Sequence, residues 1–275
     1  MTITTPAPSR IAGTLDAIRE AGRTALFPFV TAGYPTMDTC EAMIRAMIDA
    51  GADGFEIGIP FSDPIADGPT VQHTSQVALA NGTNLADCIA LVARLRADGI
   101  EVPFVLMGYF NPVIKYGLER YVADCAAAGV DGFIIPDLPI EESDRMLELC
   151  RQHDRDLIFM AAPTSTERRL ELVGERGSGF VYCVSVKGVT GARTSFGEGL
   201  GAYLDTLRRY IDLPLMVGFG ISTPEHVREI GEHADGSIVA SAMIDYLNTL
   251  PEAEYPSAAA AFVRYLRGEA ELPGA

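Results

Sequence analysis

The chain has 275 residues, 48% of them hydrophobic and 21% charged, enough apolar material for a sizeable core and too much for a disordered chain. Its formal charge of −16 argues against a nucleic-acid or anionic-membrane binder, since both need a basic face. A phosphorylated small substrate stays compatible with that charge, because a local pocket can override the global field.

Met1–Arg10 has no apolar core like that of a signal peptide, and no run approaches the roughly 18 apolar residues of a membrane span. These first ten residues read as a flexible tail. The amphipathic Ile11–Ala21 follows, placed to cover the bottom of a barrel. Strand-like and helix-like runs then alternate. Strand Ala25–Thr31 precedes helix Thr36–Ala50, and strand Gly54–Ile59 precedes helix Leu85–Asp98. Strands Val102–Met107 and Gly132–Ile135 precede helices Leu118–Ala128 and Ile140–His153. Strands Leu157–Ala161 and Phe180–Val184 precede helices Thr166–Glu175 and Leu200–Tyr210. Strands Leu213–Val217 and Gly236–Ala240 precede helices Pro224–His233 and Ser257–Arg267. Ser222 or Thr223 caps the helix whose first turn holds Pro224.

Eight strands, each followed by a helix, is the count of a (β/α)8 TIM barrel. The chain therefore reads as α/β, a single barrel domain over residues 1–275 with an extra N-terminal helix. A doubly wound sheet is the rival, weakened by the lack of a GxGxxG motif. An internal echo supports the barrel: the run Ala50–Ile57 (AGADGFEI) recurs as Ala128–Ile135 (AGVDGFII). In each copy glycine ends a helix in the left-handed region and Asp-Gly turns the chain into a strand. The five cysteines, Cys40, Cys88, Cys125, Cys150 and Cys183, lack CxxC spacing and a nearby His pair, so they read as packing thiols in a reducing, cytoplasmic setting. Three of the four histidines sit in polar helical segments and read as solvated.

Barrel chemistry belongs at the C-terminal ends of the strands. In the second strand, Phe55, Ile57 and Ile59 face the helices and Glu56 faces the interior. Its counterpart in the echo is Ile134, so the default occupant there is apolar. A carboxyl among inward side chains is desolvated and its pKa rises, which fits an acid and base near neutral pH. Asp67 follows in a Pro/Gly-rich loop that can fold over the barrel mouth, with Asp63 as its competitor; spacing alone does not choose between them. Asp137 reads as a turn residue. Glycines after strands six and seven, in Gly188–Gly191 and Gly218–Gly220, together with Ala240-Ser241 where strand eight meets a short helix, form the pattern of a phosphate cradle. Lys187–Gly199 has the length and glycine content of a lid.

The run Phe55–Gln72, with its core Gly58–Thr70 (GIPFSDPIADGPT), resembles the signature of tryptophan synthase alpha chains. The resemblance extends through Pro28–Pro35, Leu106–Pro112, Pro136–Pro139, Ser185–Gly191 and Gly218–Ile221. It implies retro-aldol cleavage of indole-3-glycerol phosphate to indole and D-glyceraldehyde 3-phosphate. It selects Glu56 and Asp67 as catalytic and points to Phe29, Tyr109, Tyr182, Thr190 and Phe219 around the substrate. Val71, Met107 and Ile134 match the apolar pocket, and Gly191, Gly220, Ala240 and Ser241 match phosphate positions, with Ala240 standing where glycine is frequent. The resemblance implies neither metal nor organic cofactor in this chain. Pyridoxal phosphate is expected only in a tryptophan synthase beta chain, the partner in an alpha2-beta2 heterotetramer. A phosphosugar epimerase would share the cradle but lack the Phe61–Pro69 loop. A non-catalytic activator subunit would have lost Glu56 or Asp67, and a stand-alone indole-forming lyase stays compatible with the motif.

Overall fold

The computed structural model describes residues 9–184, 198–218 and 220–272. Helix α1 (Arg10–Glu20) starts where the Ser9 hydroxyl accepts a hydrogen bond from the Ala12 amide at 3.2 Å, and it buries Ile11, Leu15 and Ile18. Arg10, assigned by the sequence to the edge of the tail, is thus the first residue of a docked helix.

Nine parallel strands follow: β1 (Ala25–Thr31), β2 (Phe55–Gly58), β3 (Phe104–Met107), β4 (Gly132–Ile134), β5 (Asp156–Ile158), β6 (Met160–Ala161), β7 (Val181–Val184), β8 (Leu215–Gly218) and β9 (Gly236–Val239). Their order is β5-β4-β3-β2-β1-β9-β8-β7-β6. β5 and β6 are two halves of one expected strand. β5 pairs with β4 and β6 with β7, and between them the Phe159 carbonyl accepts from the Tyr182 amide at 3.0 Å. The sheet therefore returns on itself with eight staves, the expected barrel.

Outside it lie α2 (Met37–Asp49), α3 (Pro69–Ala80), α4 (Leu85–Ala97), α5 (Phe110–Tyr116), α6 (Leu118–Ala128), α7 (Asp144–Gln152), α8 (Glu167–Arg176), α9 (Glu198–Leu207), α10 (Pro224–Gly231), α11 (Ser241–Leu247) and α12 (Tyr255–Leu266). Thr223 is the cap of α10, accepting from the His226 amide at 3.3 Å. The expected helix Ile140–His153 is broken: Ile140–Glu142 forms a 3-10 turn, and the Ser143 hydroxyl donates back to the Ile140 carbonyl before α7 begins. His226 is a correction. It lies on the inward side of α10 beside Val227 and Ile230, is buried, and its Nδ1 accepts from the Ser222 amide at 3.3 Å. All five cysteines are buried free thiols. No helix among the described residues is long and apolar enough to cross a membrane.

The bottom of the barrel is a polar floor. Asp53, Asp131 and Asp235 do more than turn the chain: their carboxylates accept the amides of Leu26, Phe104 and Leu215 at 2.9, 2.8 and 2.7 Å. Arginines from surrounding elements close over them, Arg23 and Arg267 on Asp53, Arg10 and Arg96 on Asp131, Arg208 on Asp235. A buried carboxylate is tolerated only when paired and hydrogen-bonded, and here both conditions hold. That leaves the opposite end of the barrel free for chemistry.

Candidate active site

A cavity of about 320 Å3 opens at the C-terminal ends of the strands. Period-two alternation aims Phe29, Glu56, Met107, Ile134, Met160, Tyr182 and Ile238 into it from seven strands. The register is close: Glu56 pairs with Phe29 on one side and Val105 on the other. Gly58 makes room for the ring of Phe29, and Gly218 for the ring and hydroxyl of Tyr182; a methyl group at either glycine would collide with them.

Glu56 is 3% exposed, and its Oε2 has no hydrogen-bond partner among the described residues. Burial first, and the negative charge of Asp67 second, push its pKa from 4.5 to about 8. Asp67 sits at the end of the loop before α3. The Ala66 amide donates to the Tyr109 hydroxyl at 2.9 Å, that hydroxyl also hydrogen-bonds the Asp67 carboxylate, and Gln72 Nε2 donates to the Asp67 carbonyl at 2.9 Å. Burial raises the Asp67 pKa to about 6, and the Tyr109 hydrogen bond pulls it back toward the ordinary range. Near neutral pH, Glu56 therefore keeps its proton while Asp67 has lost its own. Asp63 is exposed, accepts from the Ser62 hydroxyl at 2.5 Å, and does not line the cavity. Burial and the charges of Glu56 and Asp67 raise the Tyr182 pKa, so its phenol stays protonated.

The other end of the cavity is lined by Gly220, Ser222, Ala240, Ser241 and Asp245. Gly220 has a φ of +78°, where glycine is favoured, whereas Ala240 has a φ of −123°, outside the left-handed region. The departure at Ala240 thus carries no backbone strain from a left-handed conformation. Tyr109, expected around the substrate, is buried and does not line the cavity; its ring packs 5.2 Å from that of Phe61 and its hydroxyl holds Asp67. Asp137 is more than a turn residue: it accepts the Phe110 amide at 2.8 Å and so ties the loop after β4 to the start of α5. Thr190, Gly191 and Phe219, and the expected lid apart from its last residues, lie outside the described residues. Met160 and Ile238 were not nominated from sequence, although inward alternation from their strands pointed to them; Asp245 carried no local signal. Among the described residues no group of three or more His, Cys, Asp or Glu is placed to hold a metal ion.

The family profile described as tryptophan synthase alpha chain matches residues 15–269. The chain belongs to the tryptophan synthase alpha chain family. It is 53% identical over 260 residues to the alpha chain of Roseiflexus castenholzii, covering 94% of this chain and 100% of that one. Identity to the Chloroflexus aurantiacus alpha chain is 49% over 265 residues, covering 96% and 100%. Among solved structures, tryptophan synthase subunit alpha from Legionella pneumophila superposes with a TM-score of 0.88 at 33% identity, covering 96% and 98%. Tryptophan synthase from M. tuberculosis gives 0.83 at 31% identity, covering 94% and 100%. Alpha chains of this family are carbon–carbon lyases that act on indole-3-glycerol phosphate and release indole for a beta subunit.

Proposed function

We propose that Glu56 and Asp67 divide the retro-aldol cleavage of indole-3-glycerol phosphate between them. The observation that carries this reading is a buried Glu56 and a loop carboxylate, Asp67, lining one cavity, with burial pushing the Glu56 pKa to about 8 and that of Asp67 to about 6. Glu56 gives its proton to indole C3, leaving positive charge at the ring nitrogen, which Asp67 stabilises through the N–H. The Glu56 carboxylate then takes the proton of the hydroxyl on the attached side-chain carbon. That carbon becomes the aldehyde, the carbon–carbon bond breaks, its electron pair returns to the ring, and Glu56 ends protonated again. Every proton is accounted for by the chain's own residues.

Phe29, Val71, Met107, Tyr109, Ile134 and Phe219 are the indole pocket, Tyr182 is the neighbour of the catalytic carboxylates, and Thr190 is a substrate contact contributed by the lid segment. Gly191, Gly220, Ala240 and Ser241 take the phosphate. Turnover requires Asp67 ionised and Glu56 protonated, so the pH profile is a bell that falls below about 6 and above about 8.

The partner is a tryptophan synthase beta chain, in an alpha2-beta2 assembly whose pyridoxal phosphate belongs to beta. Ile65, on the loop after β2, and Ile114, on α5 after β3, are 84% and 57% accessible, and a hollow after the same two strands is lined by Ile59, Phe61, Leu79 and Pro112. A beta chain seated there would cover apolar surface and receive indole before it escapes. The setting is the cytoplasm. Incubation with indole-3-glycerol phosphate, with and without a beta chain, tests the reading. Indole release is expected in both, faster with beta, and none in either would overturn it.

A further inference from the structure

The Thr70 hydroxyl donates to Asp245 Oδ1 at 2.8 Å, across 175 residues of sequence. Thr70 lies in the first turn of α3, three residues beyond Asp67. Asp245 lies on α11, one turn beyond Ser241, and lines the same cavity. One side-chain hydrogen bond therefore joins α3, the helix that directly follows the Asp67 loop, to the helix that carries the proposed phosphate position. The two helices also pack against each other, so the bond fixes a register between surfaces already in contact.

The bond lies on the exposed side of the cavity, where Asp245 meets solvent as well as Thr70. None of the described residues lining the cavity is Lys or Arg, and the substrate brings a phosphate dianion to the end where Asp245 sits. A carboxylate there opposes that anion and makes a poor direct contact for it. Its useful partner is the Thr70 hydroxyl, a charge-assisted bond to the turn that follows Asp67. The remaining ties on that loop, from Tyr109 to Ala66 and from Gln72 to the Asp67 carbonyl, are confined to the loop, α3 and the β3 end. Among the described residues, the tie through Thr70 is the side-chain hydrogen bond that reaches α11 from this turn.

We infer that Asp245 is a positioning residue: through Thr70 it holds Asp67 in register with the phosphate end of the cavity, so that grip on the phosphate is transmitted to the group that stabilises the ring cation. This rests on the assignments of Asp67 and Ser241 proposed above. Small misplacements of a reacting group cost up to about 10²-fold in rate. A loosened Asp67 that still samples its place should cost less.

The test compares Thr70→Val, Asp245→Ala, Asp245→Asn and the double variant Thr70→Val/Asp245→Ala in the complex with a beta chain. Melting temperature confirms that each is folded. Thr70→Val and Asp245→Ala should each lower kcat about 3- to 30-fold. In Asp245→Ala, KM should stay level or fall, because a repelling charge has gone. Asp245→Asn keeps an acceptor for Thr70 and should recover most of the lost kcat. The double variant should be no worse than the poorer single one. The acid limb of the pH profile should move down in both single variants, as Asp67 gains water. A raised KM with unchanged kcat in Asp245→Ala would make Asp245 a phosphate ligand and overturn the inference. So would multiplicative losses in the double variant, or an Asn variant as poor as Ala. If the unaltered protein made no indole at all, the functional assignment would fail instead. An active parent with four parent-like variants would defeat only the coupling.

Discussion

Replacing Glu56 with Gln should make the protein more stable and far less active, and the stability gain should depend on pH. The sign follows from linkage. In the unfolded chain Glu56 titrates at its ordinary 4.5; in the folded chain burial holds the proton until about 8. Between those values the folded state binds more protons than the unfolded state, so stability falls as pH rises. The slope is about 1.4 kcal/mol per pH unit while folded Glu56 is protonated and unfolded Glu56 is not. Across this span the ceiling is on the order of 5 kcal/mol, reached above pH 8, with nothing lost below pH 4.5. Relaxation and water entry reduce it, and about 2 to 4 kcal/mol is a reasonable expectation. Gln keeps the shape and removes the charge that must be desolvated. Urea unfolding of both proteins at pH 5, 7 and 9 measures the difference, with equal m-values required for a fair comparison. Glu56→Gln should match the parent at pH 5 and exceed it progressively at pH 7 and 9. A difference that ignores pH, or a variant less stable at pH 9, would refute the buried, unpaired carboxyl on which the mechanism stands. Turnover should fall by about 10²- to 10⁴-fold, the usual weight of a general acid–base group.

Three further outcomes are expected. Asp67→Asn should be severely impaired in indole release, whereas Asp63→Asn, altering an exposed side chain outside the cavity, should lose little; the reverse order would reassign the loop carboxylate. The rate profile from pH 5 to 9 should be a bell centred near 7, its acid limb set by Asp67 and its alkaline limb by Glu56, and a plateau above pH 8 would contradict Glu56 as the proton donor. Because the chain carries −16 and the described cavity lining holds no cation, kcat/KM of the isolated chain for its dianionic substrate should rise with added salt, opposite to the behaviour of an enzyme that steers phosphate with arginines.

The barrel was legible because its staves obey simple periodicity. Alternation aimed Glu56 inward, and the echo marked it as exceptional by setting Ile134 in the same place. Where the structure departed from expectation, side chains from distant parts of the chain were responsible. Helix α3 hides no apolar stripe: its buried residues are Val71, Thr74, Ser75 and Ala78, and Thr74 is satisfied by Thr31, 2.6 Å away on β1. No local pattern announces a helix that buries hydroxyls. The choice between Asp63 and Asp67 likewise lay beyond spacing, since Tyr109, on the loop after β3, holds Asp67 in place. His226 looked solvated because its neighbours in sequence are polar, yet α10 turns it inward. Thr70 and Asp245 meet only once the barrel has closed.

The polar floor has a consequence for how the chain is made. Asp53, among the first residues synthesised, is 9% accessible and shares its charge with Arg23 and with Arg267, more than two hundred positions later. Arg267 also donates to the carbonyls of Thr24 and Gly51 at 2.8 Å. On a nascent chain, β1 can find β2 at once but must wait for β9, and the carboxylate beneath them must wait for α12 to pass. Every contact of this kind spans more than two hundred positions, the slowest sort to form. Until β9 (Gly236–Val239) is made, β1 keeps an open edge, and the ion pair of Asp53 with Arg267 forms only after that strand is in place.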